Sequence, residues 1–257
     1  MKTRVITGAI GGAVFLSLLF MGGVSYGVLL FFIALAGYYE WLKMNNISIW
    51  SLSSITGFLF TIYYFLPSQI TGELSLEPFI LQMLILLSMP VVSKNTSSIH
   101  EVSYIFIGSV YLGVSLHYML ETRLLEQGLI LTLAVLLAAW ATDTSAYFVG
   151  KAMGRHKLWP TISPNKTIEG SVGGIVVAVL VLAVMSFFSD QLAFTDALIL
   201  ALAVSTFGQL GDLVESAVKR TLGVKDSGQL LPGHGGALDR FDSLLFVFPV
   251  LHLLSLI

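Results

Sequence analysis

The sequence predicts an all-α fold, a polytopic membrane protein of about nine transmembrane helices with a polar pocket on the cytoplasmic side. Three observations carry this expectation. Of 257 residues, 56% are hydrophobic and 11% charged, with a mean hydropathy of +0.87; soluble domains are roughly 45–50% apolar and 25% charged. The apolar residues gather into stretches close to the ~20 that a bilayer-spanning helix needs. Basic residues punctuate those stretches so that twelve of thirteen fall on one side of the membrane.

The stretches run approximately over 5–22, 24–42, 48–66, 76–93, 102–120, 125–148, 170–188, 193–214 and 241–256. The first follows Lys2 and Arg4 like a signal peptide, but no A-x-A-like cleavage site comes after it and further spans do, so it is read as retained. With the N-terminus inside and nine alternating spans, Lys2, Arg4, Lys43, Lys94, Lys151, Arg155, Lys157, Lys166, Lys219, Arg220, Lys225 and Arg240 are cytoplasmic. Arg123 falls outside, together with Glu73, Glu77, Glu121, Glu126, Asp190 and Asp196. Glycines at four-residue spacing, Gly8/Gly12, Gly23/Gly27 and Gly170/Gly174, suit close helix packing. Tyr38, Tyr39, Trp41 and Trp50 read as interfacial anchors. The motif-like polar residues are concentrated in the second half, which divides the chain into a helical scaffold, 1–123, and a catalytic region, 124–257.

Composition also excludes. A net charge of -2 with dispersed basic residues argues against nucleic-acid binding, and with no cysteine there is no disulfide, thiolate nucleophile or Cys-based metal site. Any metal must be held by carboxylates or His.

In "WATDTSAYFVGKAMGRHKLWPTISPNKTIEG", Trp140 to Gly170, Asp143 sits near the inner end of an apolar helix, where a carboxylate is expensive unless paired, hydrated or bound to a cation. Ser163, Pro164, Asn165, Lys166 and Thr167 read as a loop before a helix whose N-terminal amides favour an anion, with Lys166 adding a full charge. Lys151, Arg155 and Lys157 read as cytoplasmic anchors. In "GQLGDLVESAVKR", Gly208 to Arg220, the residues Asp212, Glu215, Ser216 and Lys219 share one helix face. Asp239 and Asp242 follow the Gly-rich "PGHGG" at i, i+3. Three carboxylates beside several Lys and Arg suit a hard divalent cation shared with phosphates, and the glycines would let backbone approach a polyanion. His234 stays open between a structural histidine and a ligand.

The run Ser216, Lys219-Arg220, Lys225-Asp226, Gly228, Leu231-Pro232, His234-Gly235-Gly236 and Asp239-Arg240-Phe241-Asp242 resembles the signature of the phosphatidate cytidylyltransferase family, the CDP-diacylglycerol synthases. Trp140, Asp143, Ala146, Tyr147, Gly150, Gly154, Ser163-Pro164, Lys166-Thr167 and Glu169-Gly170 are similar to the same family's pattern. Ala237 departs from it, standing where a larger aliphatic is usual. The resemblance covers Trp140 to about Ser243; the first half matches as a generic set of spans.

The resemblance implies transfer of a cytidylyl group from CTP to phosphatidate, giving CDP-diacylglycerol and pyrophosphate. It implies an active-site pocket facing the cytoplasm from the inner or plasma membrane of a bacterium, and a homodimer. Asp212, Asp239, Lys219 and Arg220 would be catalytic. Mg2+, with room for a second cation, would be held by Asp212, Asp239 and Asp242. Asp143, Ser163, Asn165, Lys166, Lys225, Asp226, His234, Gly235, Gly236 and Arg240 would bind substrate. Two alternatives stand beside it. A CTP-dependent polyprenol or phytol kinase would release CDP in place of pyrophosphate, and a transporter would need polar residues through the depth of several helices.

Overall fold

The computed structural model describes residues 2–230, 233 and 235–257, with residues 2–5 described by backbone alone. In chain order the described elements are α1 (Lys2–Met21), α2 (Gly23–Met44), α3 (Leu52–Phe65), the single turn α4 (Ser68–Thr71), α5 (Glu77–Val92), α6 (Ile99–Leu124) and α7 (Gly128–Met153). The strands β1 (Lys157–Trp159) and β2 (Ser163–Thr167) follow, then α8 (Ile168–Phe187), α9 (Phe194–Thr221) and α10 (Leu238–Leu253).

Each apolar stretch of the sequence lies on a helix, and the chain is an all-α polytopic membrane protein. The helices differ in reach. α2, α6, α7, α8 and α9 are long and apolar enough to cross a bilayer. α3 has 14 residues, and α5 and α10 have 16 each. At ~1.5 Å per residue they extend about 21–24 Å, short of a hydrocarbon core of about 30 Å. α3 stops where it does because Leu66, with ψ 140, precedes Pro67, and the proline ring disfavours helical geometry in the residue before it.

The chain divides into two compact units, Met1–Glu121 with Asp226–Arg240 and Thr122–Lys225 with Phe241–Ile257. In the first, Gly22 breaks α1 from α2 at φ 66, ψ -169, a conformation that only glycine adopts without strain. α2 and α6 meet through Trp41 and Tyr104, which stack at 4.7 Å and exchange hydrogen bonds: Trp41 Nε1 donates to Tyr104 O at 3.0 Å, and Tyr104 Oη donates to Trp41 O at 2.8 Å. Gly108 leaves the space that the indole fills. Tyr38 lies over Gly57 of α3 and donates to Ser54 O at 3.4 Å. Tyr64, Gln82 and Ser109 form a buried hydrogen-bonded chain joining α3, α5 and α6. Of the expected interfacial anchors, Trp50 and Tyr39 are exposed, whereas Tyr38 and Trp41 are core residues at 0% and 5% exposure. An aromatic with a polar tip suits either place, and here each tip finds a backbone carbonyl inside the protein.

In the second unit α8 packs on α7 through small residues. Gly170, Gly174, Ala178 and Leu182 form its buried stripe, and Val172, Val176, Leu180 and Val184 face outward. A Cβ at Gly170 would stand 2.6 Å from Ala146 O and 3.1 Å from Gly150 Cα, and one at Gly174 would stand 3.0 Å from Thr142 O. Close backbone approach between small residues is the packing mode expected in lipid, where burial supplies little drive. The other glycine pairs differ: Gly12 faces open space, Gly23 has φ +49 with nothing near it, and Gly27 meets only the Leu120 side chain at 3.7 Å. Gly170→Ala is therefore expected to destabilise the protein by about 1–3 kcal/mol through overpacking against immovable backbone. Gly12→Ala should be neutral or mildly stabilising; thermal unfolding of both variants in detergent checks the contrast.

Candidate active site

Antiparallel pairing of Lys157 with Thr167 and Trp159 with Ser163 makes residues 157–167 a hairpin, where the sequence suggested a loop. Its base is pinned to α8. Thr167 Oγ1 caps that helix by accepting from Gly170 N at 3.1 Å, and Glu169 accepts from Arg155 N at 3.1 Å and His156 N at 3.2 Å. Glu169 also lies 2.6 Å from His156 Nδ1. The positive end of the α8 dipole, expected to attract a substrate anion, thus carries the chain's own carboxylate. Thr167 is buried against Gly150 and Gly154, Ser163 and Lys166 are half-buried, and Asn165 is exposed.

Lys166 Nζ reaches Asp212 Oδ2 at 2.5 Å. Ser216 Oγ donates to Asp212 Oδ1 at 3.2 Å, one turn along α9, and Lys219 Nζ lies 3.0 Å from Glu215 Oε1, so these four residues do occupy one helix face. Lys219 and Glu215 are 8% and 5% exposed, an inward ion pair of the kind that requires both partners. At Gly211 a Cβ would come within 2.9 Å of Asp242 O, so α9 and α10 touch backbone to backbone just before Asp212. This brings Asp242 into electrostatic interaction with Asp212, Lys219 and Asp143, and Asp143 interacts in turn with Asp212 and Lys166. Asp242 Oδ1 accepts from Ser243 N at 2.8 Å. Counted with Glu215, four carboxylates share this cluster with two ammonium groups, a balance that favours a cation. Among the described residues, no three carboxylates or histidines converge tightly enough to enclose a metal by themselves.

The remaining expected residues of this unit lie at its exposed edge. Arg220 is exposed and donates to Ile162 O at 3.3 Å and Val224 O at 3.2 Å, bracing the hairpin turn against the end of α9. Lys225 is exposed.

A second polar cluster belongs to the first unit. Asp239 Oδ2 accepts from Gly236 N at 2.8 Å and Ser227 N at 2.9 Å, and Ser227 Oγ lies 3.1 Å away. The Gly236 N–H, expected to meet a substrate phosphate, is directed at this carboxylate. Gly235, at φ +86, passes so close that a Cβ would meet Asp239 Oδ2 at 2.5 Å. Glu40 of α2 completes the cluster: its Oε1 accepts from Ala237 N at 2.9 Å, and its Oε2 accepts from Leu238 N and from Ser227 Oγ, both at 3.0 Å. Asp226 and Arg240 are exposed, and His234 lies outside the described residues. Glu40 was not among the residues expected from sequence. The signal available was a carboxylate within an apolar helix, which is uncommon without a specific partner.

Residues 2–257 match the family described as Cytidylyltransferase family. The chain is 42% identical over 261 residues to the phosphatidate cytidylyltransferase of Bacillus subtilis, covering 99% of this chain and 97% of that protein. It is 44% identical over 258 residues to the phosphatidate cytidylyltransferase of Staphylococcus saprophyticus, and 44% identical over 258 residues to that of Staphylococcus haemolyticus, with 99% and 98% covered in each case. The chain belongs to the cytidylyltransferase family. Both polar clusters, including Glu40 in the helical half that sequence motifs left generic, therefore fall inside the matched region of a cytidylyltransferase.

Proposed function

We propose that this chain transfers the cytidylyl group of CTP to phosphatidate in a bacterial membrane, giving CDP-diacylglycerol and pyrophosphate. The observation that carries the proposal is the gathering of Asp143, Asp212, Lys219 and Asp242 from three helices with Lys166 from the hairpin, in a chain that shares 42–44% identity over almost its full length with phosphatidate cytidylyltransferases. Phosphatidate needs little activation, since the second pKa of a phosphate monoester is about 6 and its oxygens are largely ionised near neutrality. One of these oxygens attacks the α-phosphorus of CTP as the bond to pyrophosphate breaks, so no covalent protein intermediate is needed. The protein's task is positioning and charge stabilisation.

Lys166, poised on Asp212, and Lys219, held by Glu215, supply ammonium groups for phosphate oxygens, with Arg220 and Lys225 at the exposed edge. The donor set fits Mg2+. Its ligands are oxygens, and Mg2+ is commonly held by one or two carboxylates plus substrate phosphates, so a complete protein cage is not required. Asp212 and Asp242 would hold it, with Asp143 balancing the local charge. Asp239 would hold a cation through a carboxylate already oriented by backbone donors, as ligating carboxylates commonly are. When bound, Mg2+ neutralises charge that develops on the phosphates in the transition state.

Purified protein supplied with labelled CTP and phosphatidate in detergent should form a labelled lipid and release pyrophosphate. Release of CDP with a phosphorylated alcohol would point to a kinase and overturn the reading. We further propose a homodimer, and a nine-span topology in which the bilayer thins locally around the shorter α3, α5 and α10, with the N-terminus and the loops around Lys166 and Lys225 in the cytoplasm, where CTP is made. Because the chain has no cysteine, single cysteines at Asn165 and Gln229 provide clean probes. Both should be shielded from an impermeant thiol reagent in sealed, right-side-out cells and should label once the membrane is opened. Labelling of sealed cells would reverse the orientation.

A further inference from the structure

We propose that Glu40 is a positioning residue for the reaction, acting from α2 by holding both ends of the loop that leads into Asp239 at the start of α10. The inference rests on the proposed activity, but the geometry behind it does not.

Glu40 is 2% exposed and sits in the last turns of an apolar helix. Its carboxylate is met by Ala237 N and Leu238 N from the beginning of α10 and by Ser227 Oγ from the beginning of the loop. The first N–H groups of a helix lack partners within the helix, and a carboxylate there also complements the helix dipole. The contacts join residues 187, 197 and 198 positions apart, so one side chain closes the segment onto α2. Ser227 and Gly236 in turn donate to Asp239 Oδ2. Glu40 therefore determines where Asp239 stands without touching it through any of these bonds.

The glycines of the loop report the same fit. A Cβ on Gly228 would lie 2.6 Å from Glu40 Oε1, 2.8 Å from its Cδ and 2.9 Å from its Cγ; one on Gly236 would lie 2.3 Å from Glu40 Oε2 and 2.1 Å from Ser227 Oγ. Glu40 cannot swing aside without giving up its three donors. Gly228 has no backbone need for glycine, since it is not among the positive-φ residues. The clash on Gly228→Ala is with Glu40 alone among its three nearest atoms. This makes the pair testable by a cycle: each single substitution should perturb the loop, and removing the Glu40 side chain should make room for the methyl group that Gly228→Ala adds.

The experiment compares Glu40→Gln, Glu40→Ala, Gly228→Ala and the Glu40→Ala, Gly228→Ala double variant, using the full chain in detergent. Glu40→Gln keeps the size but presents an amide N–H to backbone N–H donors. Each single variant should lower kcat/KM for CTP at least about tenfold, and the double variant should be no worse than Glu40→Ala, the non-additivity expected of residues in contact. Hydrogen exchange should rise in Glu40→Gln within 226–242 and stay unchanged in α7 and α8. Full activity in Glu40→Gln, multiplicative losses in the double variant, or exchange that rises uniformly with a lower melting temperature would each overturn the proposal. If the unmodified protein makes no CDP-diacylglycerol, the proposed function fails instead, and the exchange result still decides whether Glu40 holds the loop.

Discussion

Asp212→Asn is expected to reduce CDP-diacylglycerol formation by about 10²–10³-fold, the size of loss seen when one preorganised electrostatic group is removed from a transition state. Asn keeps the shape and one oxygen, so Ser216 can still donate to it, but the charge that pairs with Lys166 at 2.5 Å is gone. Folding should survive. Asp212 lies among like charges on Asp143 and Asp242, and neutralising it relieves repulsion, so the melting temperature in detergent should hold or rise. Asp242→Asn should behave similarly, and the double variant should be scarcely worse than either single one if the two carboxylates serve one step. Asp196→Asn is the internal control. It lies 16 positions earlier on the same helix, about 24 Å away at 1.5 Å per residue, and is exposed, so turnover should stay within about twofold. Substantial turnover in the folded Asp212→Asn, Asp242→Asn variant would remove the cluster from the chemistry.

The parts of this cluster differ in how far sequence reveals them. Asp212, Glu215, Ser216 and Lys219 lie within two turns of one helix, and their spacing alone places them on one face. Gly170 and Gly174 are likewise legible, because their repeat matches the helix they pack on. The hairpin was not. Residues 157–167 show no apolar alternation, and their pairing depends on anchorage at Thr167 and Glu169. Glu40 was hidden for another reason: its partners lie 187 or more residues away, so no local period marks them. The glycines near Asp239 illustrate the limit from the other side. Their composition suggests space for a polyanion, and the structure fills that space with the carboxylates of Glu40 and Asp239. A glycine records that something comes close, and only the fold says what.

Lys166→Ala is expected to lower kcat/KM for CTP by roughly tenfold to somewhat over a hundredfold, corresponding to the loss of one charged hydrogen bond worth about 1.5–3 kcal/mol. Stability should change far less. The Lys166 and Asp212 side chains are 26% and 27% exposed, and pairs so open to solvent contribute at most about 1 kcal/mol to folding. The split between a large kinetic effect and a small thermal one distinguishes a phosphate ligand from a structural pair. Lys166→Arg should recover part of the activity, since the charge is kept while the planar guanidinium cannot reproduce the ammonium's place between Asp212 and a phosphate. Lys94→Ala provides the comparison, being an exposed basic residue in the turn after α5, outside both polar clusters. If Lys166 acts on the substrate through its place beside Asp212, its removal should add little once Asp212→Asn is present, because the two side chains share an interaction. Indistinguishable kinetics for Lys166→Ala and Lys94→Ala would exclude Lys166 from phosphate binding and leave the Lys166–Asp212 pair as a structural tie between the hairpin and α9.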